Sequence, residues 1–305
     1  MSDNTFSAAT VPMRWVGPVK ISTLCERGIV ATLLDERMTR SVLREIVGEC
    51  SRYANLIALH HQIVGNLLFL RFEFTTGDAS GHNMATLAAD ALLGYIVHAV
   101  PGVRYGSISG NFCTDKKATA VNGILGRGKN VVTELLIPRE VVEQRLHTTA
   151  ARVAQLNVRK NLIGTTLAGG IRSANAHYAN MLLGVYLATG QDAANIVEGS
   201  QGITHAEDRD GDLYFSCQLP NLIVGTVGNG KSLDFVEANL ARLGCRESRE
   251  PGGNARRLAV ITAAVLCGEL SLLAAQTNPG ELMRTHLRFE RSEKDGANER
   301  AHRNP

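Results

Sequence analysis

Cysteine is scarce and never clustered: Cys25, Cys50, Cys113, Cys217, Cys245 and Cys267 are scattered along 305 residues with no C-x-x-C pair. That spacing excludes a zinc ribbon and points to reduced thiols rather than a disulfide frame. Charge of one sign is missing too. Thirty-two Lys and Arg against 29 Asp and Glu leave a net charge of +3, too little for a dedicated nucleic-acid binder. The most apolar helical run, 258–275, carries Glu269 and is too polar for a membrane span. No charged-then-apolar leader, internal repeat or low-complexity linker is visible, and the expected setting is cytoplasmic without a membrane. The glycine loop at 77–81 is no G-x-G-x-x-G fingerprint, so a Rossmann fold is not implied.

What remains suits one large domain or two smaller ones, since 44% of the residues are hydrophobic, ample for a core. β-forming residues predict a strand over 28–34, and 62–65 with 66–74 predict two strands turning at Gly65-Asn66. Helical spacing marks 41–49, 84–97, a helix opened by Pro138, one capped by Thr149, a long one over 174–187 and the last over 254–275. Ser232 or Asp234 is expected to cap a helix reaching 243. Strands are expected over 131–137, 197–206 and 213–219. The acidic cluster between the last two, 207–212, reads as an Asp-Gly turn; no bidentate Glu follows at calcium-loop spacing. The charged run 288–303 is expected to be mobile.

The most informative stretch is Ser109-Gly110-Asn111-Phe112-Cys113-Thr114-Asp115-Lys116-Lys117. Adjacent lysines at the end of a buried element need an anionic partner, and an ammonium there could stabilise a carbonyl oxygen turning negative in a transition state. Taken alone, a Lys-Lys pair is more often two solvated surface lysines. Asp192 likewise reads as a helix cap or as a partner for Lys116 that keeps the amine charged.

With Gly126-Arg127-Gly128-Lys129, Lys160-Asn161-Leu162-Ile163-Gly164, Asn175-Ala176-His177-Tyr178-Ala179-Asn180, Gly190-Gln191-Asp192, Val224-Gly225-Thr226-Val227-Gly228, Glu269-Leu270-Ser271-Leu272 and Arg284-Thr285-His286, that stretch resembles the 3-hydroxy-3-methylglutaryl-CoA (HMG-CoA) reductase family. The motifs occur in the family's order and run through most of the chain. The resemblance implies an α+β fold in two parts. A large HMG-CoA-binding domain, from 1–39 and 106–286, would carry an inserted, abbreviated ferredoxin-like nucleotide-binding domain over 40–105. A tail would follow over 287–305.

It implies Lys116, Asp192 and His286 as catalytic, with His286 protonating the departing coenzyme A thiolate. Arg40, Ser109, Asn111, Asp115, Lys117, Lys160, His177 and Asn180 would surround the substrate. NADPH would be held by Ser51 and Arg52 at its 2′-phosphate and by Asp78, Ser80, His82, Asn83, Gly225, Thr226 and Gly228. Ser80 and His82 stand where relatives often carry methionine. The implied reaction reduces HMG-CoA to mevalonate and coenzyme A with NADPH, in isoprenoid synthesis, within a homodimer or higher homo-oligomer sharing its active sites. No metal is implied.

One departure bears on this. The family's Ala-Thr-x-Glu motif, whose glutamate is a catalytic acid, is absent: the chain passes from Lys20-Ile21-Ser22 directly to Thr23-Leu24-Cys25-Glu26-Arg27-Gly28. Glu26 and Glu36 lie nearby without that context. Two alternatives therefore stand: a shortened member that binds CoA thioester or nucleotide but turns over poorly, and an NAD-dependent mevalonate-oxidising form.

Overall fold

Alternation in one strand organises the first half. In β3 (Leu67–Thr75) the side chains of Leu68, Leu70, Phe72 and Phe74 all point to one buried face, as a period of two requires. The computed structural model describes residues 9–16, 39–64, 67–99 and 104–287. β2 (Asn55–Val64) runs antiparallel to β3, from Asn55 opposite Thr75 to Val64 opposite Leu67, with an irregularity between Leu56 and Ala58. The expected pair of strands is therefore present. Its Gly65-Asn66 turn lies outside the described residues, as do the strand expected over 28–34, the junction at 20–28 with Glu26, Glu36, and the run 288–303. β1 (Ala9–Val16) pairs with the other edge of β3, giving the order β1-β3-β2. This strand comes from the segment expected in the large part, 1–39.

Two helices cover the buried face of this sheet. α1 (Thr39–Cys50) contributes Leu43 and Val47, four apart. α2 (His82–Ala99) contributes Ala85, Ala88, Ala89, Leu92, Leu93 and Ile96, a stripe at helical period.

The second half has its own sheet and its own core. β4 (Lys129–Ile137), β5 (Ile203–Arg209) and β6 (Asp212–Leu222) pair antiparallel in the order β4-β6-β5. Asp210 and Gly211 join β5 to β6 with φ of 55° and 99°, both left-handed as a two-residue hairpin turn demands. The acidic cluster serves that turn: Asp208 accepts from Gly211 N, and Asp212 accepts from Arg139 N at the start of α4 (Arg139–Arg145). Leu213, Phe215, Cys217 and Leu219 form the inner face of β6, packed by Tyr178, Leu182 and Tyr186 of α7 (Tyr178–Ala188). Among the short helices, α3 is Ala120–Leu125. α5 (Ala150–Leu156), capped by Thr149 as expected, continues as a π-helical stretch Asn157–Gly164 into α6 (Thr165–Leu167).

Four expectations are corrected here. The helix expected from 174 begins only at Tyr178, the start of α7. Glu269 draws off the N–H groups of Ala176 and His177, and Ala174 bridges to Ile203 instead. The strand expected over 197–206 is partly the short helix α8 (Ile196–Gly199), continuing a turn that Asp192 caps. α9 (Asp234–Arg242) starts after Leu233 with no side-chain cap, so neither Ser232 nor Asp234 has the expected role. The helix expected over 254–275 is two, α10 (Gly253–Thr262) and α11 (Val265–Gln276). Thr133 of β4 donates to the carbonyl of Ala263 at the break. Residues 253–276 have the length and apolarity of a membrane span, but more than half of their most apolar 18-residue stretch is buried and Glu269 lies within the run. α12 (Glu281–His286) closes the described chain.

Candidate active site

The lysine loop crosses from one core to the other. Ile108 packs against the first core, and the Phe112 ring meets Phe69 of β3 edge-on at 6.3 Å. Asn111, Thr114 and Lys116 then take φ of 60°, 61° and 54°. A non-glycine residue there costs roughly 1–3 kcal/mol and persists only where its surroundings over-determine it. Those surroundings are present. The Asn122 amide donates to the carbonyls of Thr114 (3.0 Å) and Lys117 (2.8 Å), Asp115 N reaches Cys113 Sγ (3.2 Å), and Lys116 N reaches Glu198 Oε1 (3.2 Å).

This loop delivers Lys116 Nζ to within 2.7 Å of Asp192 Oδ2, both side chains 38% exposed. The hydrogen bond to Asp192 raises the lysine pKa further. Burial pushes the Asp192 carboxyl up, but the bonds from Lys116 and Ala194 N outweigh it and hold it below its ordinary value. Asp192 Oδ1 accepts from Ala194 N at 3.0 Å. Cap and lysine partner, the two readings left open by the sequence, are thus the two oxygens of one carboxylate.

Beneath the pair lies a buried hub. Glu198 is 0% exposed, and its Oε1 accepts from Lys116 N, Arg127 Nη1 (2.6 Å) and Asn195 Nδ2 (2.8 Å). Arg127, 3% exposed, also reaches Asp115 Oδ1 at 2.6 Å. Burial holds the Glu198 pKa above the usual carboxylate range despite Arg127. Burial likewise lowers that of His82, which stands 3.9 Å from Asp115.

A cleft of about 460 Å³ opens over Lys116 and Asp192, lined by residues 79–84, Gly190, 227–229 and Lys231. Ser80, His82, Asn83 and Gly228 face it. Asp78, Gly225 and Thr226 build it from behind. The Asp78 carboxylate accepts from Gly252 N (3.0 Å) and Ala255 N (2.8 Å) at the start of α10, while its carbonyl takes Thr226 N at 2.7 Å. Gly225 is gripped by the Gln191 amide on both its N–H and its carbonyl. A Cβ at Gly225 would sit 2.3 Å from Ser80 N, so Gly225→Ala is expected to destabilise the fold by roughly 1–3 kcal/mol through overpacking. Urea denaturation checks this; a loss below about 0.5 kcal/mol, the range of ordinary surface changes, would sink the close-approach argument.

A second group of expected residues gathers at Glu269. His177 Nδ1 and N lie 2.9 and 3.0 Å from Glu269 Oε2, and Thr204 Oγ1 lies 3.1 Å from Oε1. A carboxylate only accepts, so His177 Nδ1 is the donor in this bond. Asn180 N bonds the His177 carbonyl at 3.0 Å. Lys160 sits in the π-helical stretch with its pKa lowered by burial, against the opposing charge of Glu269. Lys117 Nζ bonds the Asp115 carbonyl at 2.9 Å, and Ser109 is tied to Ser107. Arg40 stands in the first turn of α1. Ser51 closes the turn after α1 by accepting from Tyr53 N and Ala54 N, and Arg52 lies over the Tyr53 ring. Neither of the last two lines the cleft. His286 is the last residue of α12.

A family model described as hydroxymethylglutaryl-coenzyme A reductase matches residues 7–291. The chain belongs to that family. A Pyrococcus abyssi 3-hydroxy-3-methylglutaryl-coenzyme A reductase is 46% identical over 275 residues, covering 81% of this chain and 67% of its own length. The Aeropyrum pernix protein of that name is 47% identical over 247 residues, 80% of this chain and 58% of its own. The chain thus spans about two thirds or less of these relatives. A class II reductase from Streptococcus pneumoniae, solved with NADPH in open conformations, shares the fold with a TM-score of 0.64 at 17% identity, covering 90% of this chain and 64% of its own.

Three residues central to the geometry of this reductase-family site do not stand out in the sequence. Glu198 lies in a stretch whose neighbours favour a strand, Arg127 is one member of a longer motif, and Lys231 follows a glycine turn with no signal of its own. For Glu198 the available signal is a lone carboxylate between Ile196, Val197 and Gly199, since an acid in such a setting is rarely buried unpaired.

Proposed function

We propose that this chain reduces HMG-CoA to mevalonate and coenzyme A, consuming two NADPH. The observation that carries the reading is the Lys116–Asp192 pair at the mouth of the cleft. A bound nicotinamide nucleotide supplies the hydrides. Lys116 meets the negative charge that develops on the thioester oxygen, and Asp192 keeps the amine charged while it does so. His286 gives a proton to the leaving thiolate. The fit of a dinucleotide is supported by the reach of the cleft from Ser80 to Lys231, the start of α2 on its wall and the close backbone approach at Gly225.

In this reading the unit over 40–105 holds the nucleotide and 106–286 holds the acyl-CoA. Arg40, Ser109, Asn111, Asp115, Lys117, Lys160, His177 and Asn180 contact the substrate, and Ser51 and Arg52 read the 2′-phosphate. The free cysteines, with Cys113, Cys217 and Cys245 buried, support a reducing compartment, the cytoplasm. A homo-oligomer with shared sites follows from the same reading. The missing Ala-Thr-x-Glu motif favours a second reading, a form that binds these ligands and turns over slowly, since loss of a general acid costs about 10²–10⁴-fold.

The deciding experiment follows NADPH absorbance with HMG-CoA and counts released thiol, with Lys116→Ala as the blank. The expected result is HMG-CoA-dependent oxidation of two nucleotides per thiol. Retained folding and ligand binding without oxidation would select the second reading.

A further inference from the structure

We infer that Lys231 binds the diphosphate of the dinucleotide in the cleft, an assignment that rests on the nucleotide reading of that cleft. Lys231 lines the wall that also carries Gly228 and Asn229, while His82, Asn83 and Met84 bring the start of α2 to the same space. The first N–H groups of a helix lack intrahelical partners and favour an anion. A cation and a helix start lining one cleft make a diphosphate the matching ligand chemistry.

The charge of Lys231 is what requires an occupant. The side chain is 6% exposed, and its ammonium donates to the carbonyl of Gly190. Among the described residues no carboxylate pairs with it, whereas the other lysine of the cleft, Lys116, is matched by Asp192. The neighbouring charge is Arg246, which bonds the Lys231 carbonyl and is itself paired to Glu237. Burial, and then Arg246, push the amine down to about 8. A buried cation without a counter-charge is costly, and an anionic ligand removes that cost. The bond to Gly190, which also lines the cleft, holds the amine at the cleft wall. Coenzyme A also carries a diphosphate. The same cleft is lined by Ser80, His82 and Asn83, which the nucleotide reading assigns to the dinucleotide, and this favours the dinucleotide.

The test titrates NADPH and, separately, coenzyme A into the full chain by calorimetry, using wild type, Lys231→Gln and Lys231→Arg. Glutamine keeps a donor for Gly190 but no charge; arginine keeps the charge. Lys231→Gln is expected to weaken NADPH binding about tenfold, the worth of one charged hydrogen bond, with coenzyme A unchanged and Lys231→Arg within about threefold of wild type. Wild-type affinity for NADPH should also fall as pH rises from about 7 to about 9.5, because the amine loses its proton near 8. Lys231→Gln should lack that slope. Across this window Lys116 stays charged, Asp192 ionised and His82 neutral. Lys129, also near 8, sits on the Val224 carbonyl and is common to both proteins.

Equal NADPH affinity in Lys231→Gln, equal losses in Gln and Arg, or a loss confined to coenzyme A would each overturn the assignment. If Lys231→Gln does not fold, a flat wild-type pH profile overturns it. Failure of wild type to bind NADPH would instead overturn the nucleotide reading, and this assignment with it.

Discussion

Lys116→Ala is expected to lower HMG-CoA-dependent NADPH oxidation by about 10²–10³-fold, the usual cost of removing one donor to a developing oxyanion. The effect should fall on kcat, because the charge it meets exists mainly in the transition state. Folding should survive, since the side chain is more than a third exposed. Asp192→Asn should act through the same amine. It replaces the charged acceptor that raises the Lys116 pKa with a neutral one, so that pKa falls and the alkaline limb of the rate profile moves to lower pH. The double variant should be scarcely worse than Lys116→Ala, because the two side chains act as one unit. Additive losses would mean that the two side chains act independently, and a Lys116→Ala enzyme within about tenfold of wild type would remove Lys116 from the chemistry.

The second large effect is structural. Glu198→Leu should destabilise the fold by roughly 3–5 kcal/mol, the cost of breaking a buried ion pair by removing one partner. It leaves Arg127 with Asp115 alone, strips the acceptor from Lys116 N and leaves Asn195 Nδ2 only its longer bond to Asp115. Glu198→Gln keeps an acceptor oxygen and should cost clearly less. The pH sign separates these variants further. Burial raises the folded pKa of Glu198, so the pH-dependent part of its contribution favours the protonated form. That contribution is full below the ordinary glutamate range and is lost as pH rises through the folded value. Wild type should carry this slope and Glu198→Gln should not. Urea midpoints across that range provide the measurement; equal stability of the leucine variant and wild type would mean the hub does not hold the loop.

The parts legible in the sequence were local. Leu68, Leu70, Phe72 and Phe74 alternate, so β3 and its partner could be read; Asp210-Gly211 announces its own turn. The lysine loop stood out because nine consecutive residues carry the family's signature. The parts that escaped depend on residues far apart in the chain. Glu269 delays the start of α7 from 93 residues away, and Thr133 meets the break between α10 and α11 across 130 residues. Ile196 and Val197 favour a strand at Glu198; its actual conformation is set together with Asp192 and Arg127, and neither adjoins it. Propensity within a window of about ten residues contains no information about such partners.

The lysine loop is fastened at one end to the first core, through Ile108 and Phe112, and at the other to the second, through Glu198 and Arg127. The loop is thus a tie between the two cores, and the spacing of Lys116 and Asp192 depends on both of them.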